Sequence, residues 1–449
     1  MRPVLVWAPG VFAAAAFRLV ETISLAYAIS TGTIYTPSPR AGRDLPPRTG
    51  GLRSWTLRAL PLRTPPRNPL SIRTLSAMYR LLTSLTALVL AASLLAPGSA
   101  IAQTTVEVAP TAEERAPLVY VCNQGSATVS IVDAATHELV EVVDLQALGF
   151  SENAKPHHAV AEPDGSFWYL SLIGENTVLK LSPENEIVGR VEIETPGMLA
   201  LQPKGDRLFI GRSMSAVNPP KSVGVVQRSD MSMEMVDTFF PRPHALTPAP
   251  NGGHAYIASL ATNQLLTLDA ATQEGELTRL GGATQTLVQF AATPDGETLI
   301  GGGQVTGQLL FFDASAPPAL TVTDTLDVGG MPWHPVVSPD GETAYVPLKG
   351  ANAIAVVDLK SRTVTNRITG NGLAQPHGSA LSPDGRFLFV TNNNQKGDYT
   401  PSGDDPKAGT LVVIDTESQE IVRVLETGRN PTGIGTFGGQ TLTTSSMAP

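Results

Sequence analysis

From residue 117 onward the chain is written in short apolar runs that alternate with polar positions and are bounded by turn residues. In "SPDGRFLFVTNNN", residues 382–394, Ser382-Pro383-Asp384-Gly385 has turn chemistry. The run that follows is aromatic and β-branched and alternates with period two, which predicts a strand. The same turn recurs in "EPDGSFWYLS", "QPKGDRLFIG", "APNGGHAYIA", "TPDGETLIGG" and "SPDGETAYVP", with its proline at 163, 203, 250, 294 and 339. Successive turn prolines, 383 included, are 40, 47, 44, 45 and 44 residues apart. A period in the forties with several short strands per unit predicts a β-propeller.

Each unit repeats one grammar. An apolar strand precedes the turn and a second follows it. After a polar loop comes a third strand ending in Asp, then a fourth. "ATVSIVDAATHELVEVVDL" and "GTLVVIDTESQEIVRVL" show the third and fourth clearly, and Asp133, Asp269, Asp358 and Asp415 begin the turn between them. Asp suits that place because its carboxylate accepts a bond from a turn amide, so these acids are read as structural. Six turns give six units. Residues 117–144 supply second, third and fourth strands without a first, and "TGRNPTGIGTFGG", residues 427–439, is a first strand without followers. Joining the two ends makes a seventh four-stranded blade and closes the ring, which removes exposed strand edges. The expected fold is an all-β, seven-bladed propeller over 117–439, with a flexible tail at 440–449.

The first hundred residues belong to another population. Residues 1–77 hold ten Arg, no Lys and two acids, Glu21 and Asp44, and read as a disordered upstream extension. Residues 78–102 have the order of a secretory signal peptide: Arg80, an apolar stretch from Leu81 to Leu95, and Ala100-Ile101-Ala102 before Gln103. Translation from Met78, with 103–116 a short linker, is the expectation; an export or transit segment within 1–77 is the alternative to a start at Met78. Export predicts a periplasmic or secreted protein. Of 31 Lys and Arg, 11 precede residue 103, as do two of 40 Asp and Glu. The remainder carries 20 basic and 38 acidic residues, a net charge of −18 that argues against nucleic acid as a partner. After residue 102 no apolar run is long enough to span a membrane. The single cysteine, Cys122, has no partner for a disulfide and reads as a small buried strand residue.

"YVCNQGSATVSIVD" and "SPDGRFLFVTNNN" resemble the YVTN family of propeller repeats, and the resemblance covers essentially all of residues 117–438. It implies a relationship to surface-layer proteins, lactonase-like propellers and the propeller domain of haem-containing nitrite reductases. The motif specifies fold far better than function.

Five of the seven histidines share one place in the repeat. Six residues before the turn proline stand His157, Gly197, His244, Val288, Trp333 and His377; five before it stand His158, Met198, Ala245, Gln289, His334 and Gly378. A proline precedes them in five units, at 156, 196, 243, 332 and 376. In a propeller this is the start of the innermost strand, so His157, His158, His244, His334 and His377 should gather at one mouth of the central channel. Imidazole is the commonest metal-ligating side chain and an acid or base near neutral pH. Three readings follow: a copper or zinc site with Met198 and Trp333 beside it, or less readily a haem-like cofactor; a substrate site, as in a lactonase-like hydrolase; or a junction residue copied by duplication. No Arg stands beside these histidines, and no cysteine pair is present for covalent haem.

The long loops Gly211–Ser222 and Asn392–Thr410 lie between second and third strands and should form a rim on the same face, where a protein partner would dock. Asp398, Asp404 and Asp405 in the second loop read as solvated acids. Met231, Met233 and Met235 read as blade packing. The leading reading is an exported binding scaffold; a hydrolytic enzyme and a surface interaction module are the alternatives.

Overall fold

The structure is a computed structural model that describes residues 117–436 apart from 213, 214 and 216. The upstream segment, the signal-peptide pattern, the linker and the tail therefore lie outside the described residues. Seven four-stranded antiparallel sheets form the blades. The first blade pairs Leu118–Asn123, Thr128–Asp133 and Leu139–Asp144 with the C-terminal strand Pro431–Thr436 as its innermost member. The ring is closed by strands from both ends of the repeat region, as the strand count requires. The second to seventh blades begin with the innermost strands Pro156–Ala161, Pro196–Leu201, Pro243–Pro248, Leu287–Ala292, Val336–Val337 and Pro376–Leu381.

Within each blade the first three strands carry the apolar load and the fourth faces solvent. "TVSIVD" is buried along its middle, whereas the outer strand "LVEVVD" is almost wholly exposed. The core is seven apolar clusters, several spanning two neighbouring blades. One sets Trp168 and Leu170 against Tyr120 and Ile131; another sets Phe209 and Phe240 against Leu246 and Ile257. The four turn aspartates do what their position suggests. Asp133 Oδ1 accepts from the amides of Ala135 and Thr136, both at 2.8 Å, and Asp269, Asp358 and Asp415 repeat the motif. Cys122 is fully buried, and burial pushes its thiol up out of the reactive range. Among the described residues no helix is long and apolar enough to cross a membrane.

Two features recur at the start of the innermost strands. The residue before each strand, or before Pro332 in the sixth blade, has positive φ: Lys155, Thr195, Arg242, Thr286, Met331, Gln375 and Asn430, at 49–60°. Seven copies make this the backbone geometry by which the chain turns into a new blade, rather than strain peculiar to one site. The pairing register then shifts within the next residues in six blades, at 156/158, 196/199, 243/245, 287/290, 376/379 and opposite 121/123. Such bulges re-aim side chains toward the channel end. The sixth blade departs from the rule, because Pro335 has no amide to donate. Its innermost strand shrinks to Val336–Val337, with one bridge from Pro332 to Leu348.

Candidate functional site

The shifts at 156/158, 243/245 and 376/379 fall on His157, His158, His244 and His377, while His334 stands in the sixth blade, which has none. All five imidazoles, at or near the starts of their innermost strands, are 4–8% exposed. They are enclosed there rather than displayed on an open funnel. The rings of His334 and His377 lie 5.0 Å apart and those of His157 and His244 5.8 Å apart. Trp333 stands 5.3 Å from His377. Below them the channel is a cavity of about 1040 Å³, walled by His158, His334, Leu199, Leu246 and Phe290 and reaching the Pro-Asp-Gly turns at its far end. There Glu162 pairs with Arg228 across two blades and accepts from the Tyr169 hydroxyl at 2.9 Å.

Hydrogen bonds divide the histidines into two kinds. His158 Nδ1 accepts from the Leu199 amide of the next blade at 3.3 Å, so its proton sits on Nε2. His244 Nδ1 donates to the Val288 carbonyl at 2.9 Å, so its Nε2 presents a lone pair. Both therefore stitch neighbouring innermost strands together, as a junction residue would. His157 is held through a relay from the rim. Gln395 Nε2 donates to Asn430 Oδ1 at 2.8 Å, and Asn430 Nδ2 to Gln124 Oε1 at 3.0 Å. That turns Gln124 Nε2 toward His157 Nδ1 at 3.5 Å, leaving the proton on Nε2. His157 Nε2, His334 Nε2, His377 Nδ1 and Trp333 Nε1 are all buried without a hydrogen-bond partner.

Burial holds every one of these imidazoles neutral. His158 is lowered to about 3, by burial and then by His244; His244 is lowered to about 4, by burial and by the charge of Arg242, against the opposing pull of its Val288 bond. Contrary to the sequence expectation, an Arg therefore does act on one of these histidines. His157, His334 and His377 lie well below the ordinary value, through burial first and then neighbouring imidazoles and Lys349. Lys349 was not among the residues singled out from the sequence. It follows the second strand of the sixth blade, ten residues after the turn proline, where Gln124 stands in the first blade and Asn393 in the seventh. Its ammonium lies 4.2 Å over the Trp333 ring. Asking which residue occupies that repeat position in each blade would have found it.

Met198 does not join the site. It is fully buried among Phe209, Phe240 and Leu246 between the third and fourth blades, a packing position. Trp333 does join it. A metal ion needs lone pairs converging at about 2.0–2.1 Å. His157 and His158 present N–H groups and do not fit as ligands; His244, His334 and His377 each keep a nitrogen for one. Among the described residues no three His, Cys, Asp or Glu side chains are already placed to hold a metal. The buried Cys122 offers nothing to a covalently attached haem. In the long loop, Asp398 accepts from Asn352 at 3.0 Å and Asp405 pairs with Arg429 at 2.6 Å, so two of its three acids have partners within the protein.

No family model matches the chain, and no curated protein matches it. Solved structures share the β-propeller fold. A functionally unknown protein from Desulfotomaculum acetoxidans aligns with a TM-score of 0.56 at 17% identity, over 71% of this chain and 98% of its own. Kuenenia stuttgartiensis hydrazine synthase gives 0.53 at 18% identity, over 63% and 89%. A streptogramin B lyase gives 0.52 at 13% identity, over 61% and 86%. At these identities the likeness defines the class, a β-propeller, and nothing finer.

Proposed function

We propose that the protein is an exported binding propeller of the YVTN type that holds a small ligand at the histidine-lined end of its channel. The observation that carries this is the set of four buried polar atoms without partners, on His157, His334, His377 and Trp333, of which His334 lines the channel cavity and has the His377 ring beside it. A buried donor or acceptor left unpaired costs about 1–3 kcal/mol. Four in one place are a standing cost that a bound molecule would relieve. Export rests on the signal-peptide pattern before Gln103, and the family on the repeat motif.

A copper or zinc ion is a second reading, favoured by His244. Its Nδ1–H bond to a backbone carbonyl fixes Nε2 as a lone pair, the arrangement that metal-ligating imidazoles use. Bringing His334 and His377 to the same ion requires rotation of their rings. Elemental analysis of protein purified from its native compartment, with thermal melts against a panel of metals and small metabolites, tests both. A ligand that raises the melting temperature of the protein but not of His334→Ala supports the channel-end site. Equal effects on both proteins count against it. Turnover of a lactone panel that persists after chelation would make the channel an active site instead.

A further inference from the structure

Four of the polar groups at this end of the channel are donors. Trp333 Nε1 can only donate. The relay through Asn430 and Gln124 leaves His157 with its proton on Nε2. The Leu199 amide does the same for His158, which lines the cavity. Lys349 adds a full positive charge over Trp333. Among the described residues it has no ion pair with a carboxylate, and the charges acting on His157, His334 and His377 are imidazoles and Lys349, never an acid. In a chain whose part after residue 102 carries −18, an acid-free cluster with a lysine at its edge is a local exception.

Resting on the reading of this end as a ligand site, we propose that its ligand is anionic: a carboxylate or phosphate-like oxyanion held by Lys349 Nζ, Trp333 Nε1–H and His157 Nε2–H, with His158 Nε2–H reaching it from the cavity wall. Each of His334 and His377 has an unpartnered nitrogen and is free to take the tautomer that donates as well. Donors fixed in advance at a water-poor site bind an anion more strongly than the same groups in water, because no reorganisation is needed when it arrives. Charge supports this reading over a neutral ligand. Acceptors are present in His244 Nε2 and the buried, unpartnered Asn393 Oδ1, but neither carries a negative charge, whereas Lys349 brings a positive one.

The test is titration of the whole protein with acetate, with inorganic phosphate and with neutral acetamide at constant ionic strength. The readouts are Trp333 emission and the imidazole resonances of His157 and His334. Acetate or phosphate should saturate both signals and acetamide should not. Lys349→Met, with its fold checked by circular dichroism, should weaken the anion by about tenfold or more. Lys396→Met, which removes a nearby charge but none of the proposed donors, should change affinity by far less. Equal responses to acetamide and acetate, or an unchanged affinity in Lys349→Met, overturn the proposal. If copper or zinc shifts the same resonances while no anion does, the anionic ligand falls and the channel-end site stands. If no anion or metal moves them, both fall.

Discussion

Lys349 holds its ammonium 4.2 Å over the ring of Trp333, a cation–π contact at the enclosed end of the channel. Burial, and after it the charge of Lys396, pulls this lysine down from 10.5 to about 8. The folded value lies below the unfolded one, so the charged form is penalised in the fold. The stability withheld below pH 8 returns as pH rises from about 8 to 10.5. Trp333 should report the titration directly. Its emission should change with a midpoint near pH 8, and the step should vanish in Lys349→Met. A midpoint near the ordinary lysine value would mean that Lys349 is solvated and the contact transient.

The five histidines make a larger prediction of the same sign in acid. Their folded values lie below 6.5 because burial disfavours the imidazolium, so the unfolded chain binds protons that the folded one refuses. Their contribution is complete above pH 6.5. It is lost as pH falls from 6.5 toward about 4 for His244 and about 3 for His158. Each such histidine costs about 1.4 kcal/mol per pH unit in its window. The melting temperature should therefore fall steeply between pH 6.5 and 4, and His334→Leu should flatten that slope. A flat profile across this range would mean that the rings are hydrated and titrate normally.

Ring closure is tested by its last strand. Pro431–Thr436 pairs with Leu118–Asn123, and Thr432 Oγ1 donates to the His157 carbonyl at 3.1 Å. Ending the chain at Gly428 should expose two strand edges and leave a protein that is unfolded or aggregates. Gly433→Ala is the subtler probe. A Cβ there would stand 2.2 Å from the His157 carbonyl oxygen and 2.7 Å from His158 Cα, both backbone atoms that cannot swing away. We expect it to lower the melting temperature and to disturb the His157 resonance. A truncated protein that melts cooperatively at the original temperature would show that the closing strand is dispensable.

The fold was legible because each blade restates it: one Pro-x-Gly turn at a steady spacing, one Asp at the end of the third strand, and two unmatched ends that complete each other. The convergence of the five histidines was legible for the same reason, since a shared offset in a ring becomes a shared place in space. Three things were not. Enclosure depends on how far the innermost strands approach one another, which the repeat period does not encode. The division of the histidines into junction residues and residues with free nitrogens depends on single bonds, His158 to Leu199 and His244 to Val288, that join different blades. Met198 shares the offset with His158 yet packs among Phe209 and Phe240, because the bulge at 196/199 turns it outward into the core. Lys349 stands in a different register of the repeat and drew no notice as a lone lysine after a strand.

That division gives the sharpest pair of variants. His158 Nδ1 is the acceptor for the Leu199 amide, so His158→Leu leaves a buried N–H without a partner. Such a group costs about 1–3 kcal/mol, and the melting temperature should fall accordingly. His334 is as deeply buried, but its Nε2 has no partner to lose. His334→Leu exchanges an unsatisfied polar ring for an apolar side chain in the same space, so the ligand-free protein should be unchanged or more stable. A site kept for binding commonly carries such a cost, and relieving it removes the function. The stabilised variant should accordingly show none of the ligand-induced rise in melting temperature seen in the parent. If His334→Leu destabilises as much as His158→Leu, both histidines are junction residues, and the unpartnered nitrogens at this end of the channel do not mark a binding site.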